Sequence, residues 1–241
     1  MFEKFGEMDY EEFIRTAAAE RQEGDLEALI TLAVENGLEK EDAVTCYNTI
    51  RNNGVLFAQA PTGIGKTIST IFPAIKGLAN NMGERIVYLT SKTITRVVAE
   101  EAYAMLIKNG LKIKVVSITA KEKSCLNDEV KCNGDDCKFA KDYFSKVDNA
   151  IEDIIRHENM ISRDVIRKYS EKYQVCPFEL SLDLTEWCHG VICDYNYAFD
   201  NRVRLKRIKE IKKLKDEIEK KESSFVSIRP TVEAPVVSWI V

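Results

Sequence analysis

The sequence predicts an α/β fold, a parallel sheet flanked by helices that carries an inserted cysteine-rich segment. Short apolar runs with the length of buried strands alternate with helical patterns, which is typical of a parallel sheet. The runs are 55–59, 85–90 and 112–118, and the helical patterns are 66–78 and 93–108. Apolar periodicity then stops, and three cysteines fall within the polar residues 121–137. We therefore expect a compact sheet interrupted by a small segment that needs something other than an apolar core to order it.

Composition and charge narrow the class of protein. The 241 residues are 45% hydrophobic and 31% charged, which suits one sizeable globular core with a small extra module. A net charge of −4 gives no whole-chain attraction for nucleic acid, so any DNA contact must be a local groove. The first residues are too charged for a secretory signal, and no apolar run reaches the length of a membrane helix. These features predict a cytoplasmic protein with no membrane contact.

Helical patterns flank this central part on both sides. Residues 10–53 repeat apolar side chains at helical spacing, and after the cysteines the same spacing returns at 138–157 and 162–174. A short helix-like stretch then runs to Trp187, and Val191–Cys193 has the character of a buried strand. The mixed charges from Arg202 to Lys221 predict a solvated helix face, although their basic first half could also contact DNA phosphates.

A phosphate-binding loop is the first chemical motif, with alanine in place of the usual first glycine. Backbone N–H groups of such a loop surround a phosphate, the lysine adds a charge at the β and γ phosphates, and the threonine hydroxyl binds Mg²⁺. The alternative is an ordinary turn with a solvated lysine. The predicted ATP site consists of Ala60, Pro61, Thr62, Gly63, Ile64, Gly65, Lys66 and Thr67, of which Lys66 and Thr67 are the candidate catalytic residues.

Four cysteines form the second motif, with the spacing C-x6-C-x4-C-x38-C. Four thiolates can hold an iron-sulfur cluster or zinc, and the lack of a C-x2-C pair favours the cluster. Unligated surface thiols are the other alternative. The candidate ligands are Cys125, Cys132, Cys137 and Cys176, whereas Cys46, Cys188 and Cys193 lie in apolar contexts and are expected to be small buried hydrophobes.

Five stretches of sequence resemble the DinG/XPD group of superfamily 2 DNA helicases. They read LFAQAPTGIGKT, YLTSKTITR, ITAKEKSC, QVCPFELSLD and VICDYNYAFD, and the resemblance covers about residues 50–207. It implies a RecA-like first motor domain that binds ATP and Mg²⁺, an inserted 4Fe-4S subdomain, 5′ to 3′ movement on single-stranded or forked DNA, and work in DNA repair. It also implies that the segment Thr90, Ser91, Lys92 and Thr93 contacts the single strand, although a helix cap with a solvated lysine is the alternative.

Two departures from the resemblance concern catalysis. The Asp-Glu-Ala-His box of these helicases would follow VICDYNYAFD, and the tetrad does not occur in this sequence. Asp194 belongs to the preceding segment, where a structural role at a strand end is expected. The second motor domain has no counterpart either, so the resemblance implies a chain truncated before the box, with a second chain as the candidate source of the other motor half. A non-catalytic module that binds nucleotide or single-stranded DNA, or a zinc-stabilised structural module, is the alternative.

The predicted organisation has five parts. They are a helical module of unknown role at 1–49, the ATP-binding part of the motor domain at 50–120, the iron-sulfur region at 121–187, a return to the motor domain at 188–207, and a charged helix with a divergent tail at 208–241.

Overall fold

The computed structural model describes residues 33–35, 37–38, 40–58, 65–83 and 85–199. These residues divide into two compact units. The first unit contains the described residues before Val87 together with Glu101–Leu111. The second unit contains Val87–Glu100 and the described residues from Lys112 onward. Within the described ranges, no helix combines the length and the apolar character needed to cross a lipid bilayer.

Two packed helices form much of the described part of the first unit, α1 (Lys40–Arg51) and α2 (Lys66–Ala79). They approach closely because Gly77 has no side chain: a Cβ there would lie 3.0 Å from Cγ2 of Ile50. Beyond the carboxyl end of α2, the Asn80 side-chain amide donates a hydrogen bond of 2.8 Å to the Tyr47 hydroxyl. The helix that follows the phosphate loop is therefore held against α1 along its length.

A four-stranded sheet with the order β1-β4-β2-β3 organises the second unit. Strand β2 pairs in parallel with both of its neighbours, β3 and β4. The first four residues of β4 are all buried, as expected for an inner strand of a sheet covered on both faces. The strands are β1 (Ile86–Thr90), β2 (Val115–Ser117), β3 (Met160–Ile161) and β4 (Gly190–Asp194).

Helices connect these strands and cover the sheet. Along the helix Tyr143–His157, side chains at helical spacing from Tyr143 to Ile154 are buried in the core of the unit, together with Leu180 and Leu184. The helices are α3 (Thr93–Lys108), α4 (Lys121–Ser124), α5 (Tyr143–His157), α6 (Arg163–Tyr173), α7 (Pro177–Asp183) and α8 (Asn196–Phe199), with a 3₁₀ turn at Leu184–Glu186.

Polar side chains add two ties between these helices. The Tyr143 hydroxyl donates to Oδ2 of Asp183 at 2.6 Å, which links α5 to α7. On the opposite end of α5, Oδ2 of Asp153 accepts from Lys172 at 2.6 Å and from the Tyr173 hydroxyl at 2.8 Å. These two hydrogen bonds, the first above all, hold the pKa of Asp153 below its usual value.

The observed elements confirm most of the predicted ones. The strands at 85–90, 112–118 and 191–193 and the helices at 66–78, 93–108, 138–157 and 162–174 are present with shifted ends. The strand predicted at 55–59 is wrong for residues 55–58, which form neither strand nor helix. Val55 and Phe57 are 40% and 52% exposed, whereas a strand of a parallel sheet is covered on both faces. The helical pattern at 202–221 lies outside the described residues.

Candidate nucleotide, strand and metal sites

The phosphate loop is described at its last three residues, Gly65, Lys66 and Thr67, and Ala60–Ile64 lie outside the described residues. Gly65 has φ 69° and ψ 20°, the left-handed conformation that favours glycine. A Cβ at this position would lie 1.7 Å from the carbonyl oxygen of Gly37. Both the backbone angle and the close approach therefore require glycine at the turn into α2.

The first turn of α2 has the character of an anion-binding helix start. Its first intrahelical bond runs from the Ser69 amide to the Gly65 carbonyl at 3.1 Å, so the N–H groups of Lys66 and Thr67 precede the hydrogen-bond ladder. The turn contains no acidic side chain, and no side chain caps it at Gly65. A phosphate placed there would meet backbone donors and the positive end of a 14-residue helix.

The segment predicted to contact single-stranded DNA, called the strand-contact segment below, is Thr90–Thr93. It runs from the end of β1 to the start of α3. Thr90 is buried, and its hydroxyl donates to the Cys193 carbonyl at 3.5 Å, while its own carbonyl accepts from the Tyr195 amide at 3.0 Å. Ser91, Lys92 and Thr93 are exposed. Thr90 therefore has a structural role at the β1–β4 edge, and the three residues after it are the ones accessible to a ligand.

The four candidate metal ligands occupy different environments. Cys132 is exposed, Cys125 and Cys176 are partly buried, and Cys137 is buried with its sulfur accepting a 3.1 Å hydrogen bond from the Asn127 side chain. Among the residues that the structure describes, no group of three or more histidine, cysteine or acidic side chains is close enough to hold a metal ion. Thiols are suitable ligands for an iron-sulfur cluster or zinc, but the described structure does not bring the four cysteines together around one point.

Two of the four thiols do interact. Burial is the main cause that raises the pKa of Cys176, against hydrogen bonds from the backbone amides of Glu179 and Phe178 that lower it. The charges of Glu179 and Cys137 raise the pKa further. A negative charge on Cys137 therefore disfavours a charge on Cys176, which is the situation that a bound cation relieves.

The three remaining cysteines are buried, which confirms their predicted role as small hydrophobes. Burial, followed by the charge of Asp42, raises the pKa of Cys46 to about 11. Burial also raises the pKa of Cys193, with a smaller contribution from Asp194. Thiols held protonated in this way are poor nucleophiles and poor metal ligands, so Cys46 and Cys193 are inert.

The structural role predicted for Asp194 is consistent with its contacts. It is the last residue of β4, and its Oδ1 accepts a 2.9 Å hydrogen bond from the Asn196 amide, which shapes the turn into α8.

Sequence reasoning missed a polar network under the strand-contact segment. It consists of Arg96 and Glu100 on α3, Ser117 on β2 and Thr119 just after it. An Arg-Glu pair at i and i+4 on a helix is a visible signal, but it predicts an exposed ion pair. The buried serine and threonine that complete the network come from a strand more than 15 residues away, and no local pattern connects them.

Comparison with known proteins agrees with a helicase-type domain. The family model DEAD_2 matches residues 88–219, more than half of the sequence. The chain therefore belongs to the DEAD_2 family of helicase domains, and this match confirms the predicted helicase resemblance. The matched region includes Ser91–Thr93 and the four cysteines, and it begins after the phosphate loop.

One solved structure that the chain matches is a truncated XPD. The two chains share 16% identity with a TM-score of 0.48, over 68% of this chain and 47% of that one. The chain thus spans about half the length of that structure. No curated protein matches the sequence.

Proposed function

We propose that the chain binds ATP with Mg²⁺ at 60–67 and single-stranded DNA at Ser91–Thr93, as the first motor domain of an ATP-dependent 5′ to 3′ DNA helicase. The observation that carries the proposal is Gly65, whose left-handed backbone and contact with Gly37 exclude any side chain at the start of α2. A glycine followed by lysine and threonine at a helix start is the arrangement that phosphate binding requires. Family membership supports the same function.

Each nucleotide-site residue has a distinct role in this proposal. Lys66 places a positive charge beside the β and γ phosphates, and the backbone amides of the loop donate to phosphate oxygens. The Thr67 hydroxyl is the candidate Mg²⁺ ligand, and the bound ion would neutralise phosphate charge. The Asp-Glu-Ala-His tetrad does not occur in these 241 residues, so in this proposal the carboxylates that position the attacking water come from outside that motif, and a second chain with the other motor half is one candidate source.

The DNA contacts would use charge and hydroxyl donors on the strand backbone. Lys92 and the hydroxyls of Ser91 and Thr93 are exposed at the carboxyl end of β1, where the 16-residue helix α3 begins. Contacts of this kind hold phosphates without reading bases, so we expect binding that is independent of DNA sequence and weakened by salt.

ATP turnover tests the proposal directly. Hydrolysis is measured for the full chain with and without single-stranded DNA, beside Lys66→Ala and the control Lys108→Ala, which removes an exposed lysine at the end of α3. We expect turnover that DNA stimulates, that Lys66→Ala lowers at least about a hundredfold because charge stabilisation of the phosphates is lost, and that Lys108→Ala leaves unchanged.

The same assay distinguishes the alternative function. Nucleotide binding that depends on Lys66, without hydrolysis, would identify a non-catalytic module that binds nucleotide or single-stranded DNA; the missing acidic tetrad favours this outcome. If the wild-type chain binds neither ATP nor single-stranded DNA, the proposed function is wrong in both forms.

We also propose that Cys125, Cys132, Cys137 and Cys176 hold a 4Fe-4S cluster, with zinc as the alternative. The support is the number of thiols and the interaction between Cys137 and Cys176. A cluster would fix the polar segment 125–137 to the start of α7. Iron, sulfide and zinc are measured in anaerobically purified protein and in Cys132→Ser, with Cys46→Ala as a control outside the set. Zinc without iron supports the structural alternative, and wild-type protein with neither metal contradicts both.

A further inference from the structure

A buried polar network fixes the first turns of α3 to the end of β2. Nη1 of Arg96 donates a 2.9 Å hydrogen bond to the Thr119 hydroxyl, and Nε of Arg96 lies 3.5 Å from Oε1 of Glu100. Glu100 also accepts a hydrogen bond from the hydroxyl of Ser117, which is fully buried in β2. The guanidinium therefore donates a hydrogen bond to a neutral acceptor and lies at ion-pair distance from a carboxylate, to which its buried Nε makes no hydrogen bond.

Little of this network is available to an external ligand. The side chains of Arg96 and Glu100 are 16% and 20% exposed, and Thr119 is buried. A cationic side chain so close to a nucleic-acid site would ordinarily be assigned to a phosphate contact. Here the guanidinium is directed at Thr119 and paired with Glu100, so its charge is already compensated within the protein.

The network acts on the strand-contact segment through the backbone. The Arg96 amide donates to the Lys92 carbonyl at 3.2 Å, which is part of the first turn after Ser91. On the other side, the residue before Thr119 is tied to the sheet, because the Ile118 amide donates to the Ile192 carbonyl of β4 at 2.8 Å. Arg96 thus joins the turn that presents Lys92 to the carboxyl end of the two central strands.

We propose that Arg96 is a positioning residue, which through Thr119 and Glu100 holds Ser91–Thr93 in the orientation that accepts a nucleic-acid backbone without touching the strand itself. The inference rests on the proposed DNA-binding function. It distinguishes two cationic residues four positions apart: Lys92 supplies charge to the ligand, and Arg96 supplies rigidity to the protein.

The salt dependence of binding separates these roles. The affinity of the full chain for an oligothymidylate is measured at several salt concentrations for wild type, Lys92→Ala, Arg96→Gln, Thr119→Val and Thr119→Ser. Loss of a phosphate contact lowers the salt slope by about one, whereas loss of positioning weakens binding with the slope unchanged. We expect the first result for Lys92→Ala and the second for Arg96→Gln, with affinity about ten- to a hundredfold weaker, the range expected when a hydrogen bond to a charged group is lost.

If Arg96→Gln does not fold, the same binding measurements on the two Thr119 variants test the inference. Thr119→Val removes the acceptor while keeping the shape, and we expect it to weaken binding by a similar factor with the wild-type slope. Thr119→Ser retains the hydroxyl and should restore the wild-type affinity. In the double variant, the losses of binding free energy from Arg96→Gln and Thr119→Val should not add, because both substitutions remove the same hydrogen bond.

Three results would overturn the inference. A lower salt slope in Arg96→Gln would make Arg96 a direct phosphate contact, and wild-type affinity in both Arg96→Gln and Thr119→Val would remove any role for the network. Additive losses in the double variant would show that the two residues act separately. A wild-type chain that does not bind the oligonucleotide defeats the proposed function instead, which is a different outcome from unchanged affinity in the variants.

Discussion

Residues 125–142 and residues 143–186, adjacent in the second unit, are ordered in different ways. The second stretch consists of α5, α6, α7 and the short elements between them, and most of its apolar side chains pack in one core, with Phe144 as an exposed exception. The first contains bends and turns with no helix or strand, although it carries three of the four candidate ligands. The two segments differ in what can stabilise them, and the difference follows from composition.

The cysteine-bearing residues 125–137 have mainly local and exposed contacts. The ion pair between Lys131 and Glu129 has both side chains more than half exposed, so it adds little stability. The Asn133 side chain and Asp136 exchange hydrogen bonds of 2.7 and 2.8 Å across a single turn. Such contacts shape a turn without fixing it to the rest of the fold. Burial orders the helices, whereas the group proposed to bind the cysteines would be the main source of comparable order in this segment.

A pair of leucine variants gives the largest expected difference between the segments. Leu180 is fully buried, so Leu180→Ala should lower the free energy of unfolding by about 2–5 kcal/mol through lost burial and a cavity. Leu126 in the cysteine-bearing segment is partly exposed, and Leu126→Ala should cost less than about 1 kcal/mol. Urea unfolding of metal-free protein measures both. Equal losses of unfolding free energy in the two variants would mean that the cysteine-bearing segment belongs to the core, and that the two segments are not ordered differently.

The bond between Tyr143 and Asp183 provides a smaller test inside the helical segment. Tyr143→Phe removes one hydrogen bond to the Asp183 carboxylate and should lower the free energy of unfolding by about 1–2 kcal/mol. Burial, then the hydrogen bond and charge of Asp183, raise the pKa of Tyr143. Because the folded-state pKa is the higher one, this contribution is complete below pH about 10 and is lost above it, as the unfolded tyrosine ionises.

Unfolding measured at neutral pH and above pH about 10 should show wild type losing more stability than Tyr143→Phe. Tyr195→Phe, at a more exposed tyrosine, is the matched control and should resemble wild type at both pH values. A loss at high pH that is the same in wild type and Tyr143→Phe would contradict the assignment to this hydroxyl.

The smallest expected effect is at Asp153, which joins α5 to Lys172 and Tyr173 of α6. Its pKa is lowered, first by the hydrogen bond from Lys172 and then by that from Tyr173. The stabilisation is therefore present above the usual aspartate pKa and is lost as pH falls through the lower folded-state value. Asp153→Asn should flatten the acid side of the stability profile, and Asp148→Asn, exposed on the same helix, should not. Identical profiles for the two variants would show that the bonds contribute nothing measurable.

Periodicity predicted the elements whose own side chains decide their structure. The helices at 93–108 and 162–174 could be predicted in this way, because their apolar spacing and their flanking residues are local signals. The apolar run at 55–58 was assigned wrongly because periodicity does not report whether another element covers it. β3 has only two residues, too few to give any periodic signal.

The candidate sites show the same limit. Motif spacing predicted Gly65–Thr67 and the four cysteines as candidate site residues, since each motif is written in the chain itself. The need for glycine at 65 comes partly from the Gly37 carbonyl, which a motif cannot contain. The Arg96 network was missed because it joins a helix to a neighbouring strand through single hydrogen bonds. Contacts between distant residues require the fold before they can be recognised.

The strand order has a consequence for how the chain reaches its native state. β4 lies between β1 and β2, so those two strands cannot be joined until β4 is in place. Residues 118–189, including the cysteine-bearing segment, must be synthesised before β4 leaves the ribosome. Until then β1 and β2 each present an unpaired edge, which is a hazard for aggregation. Early condensation of the helices that follow the cysteines would shorten this exposed interval during translation.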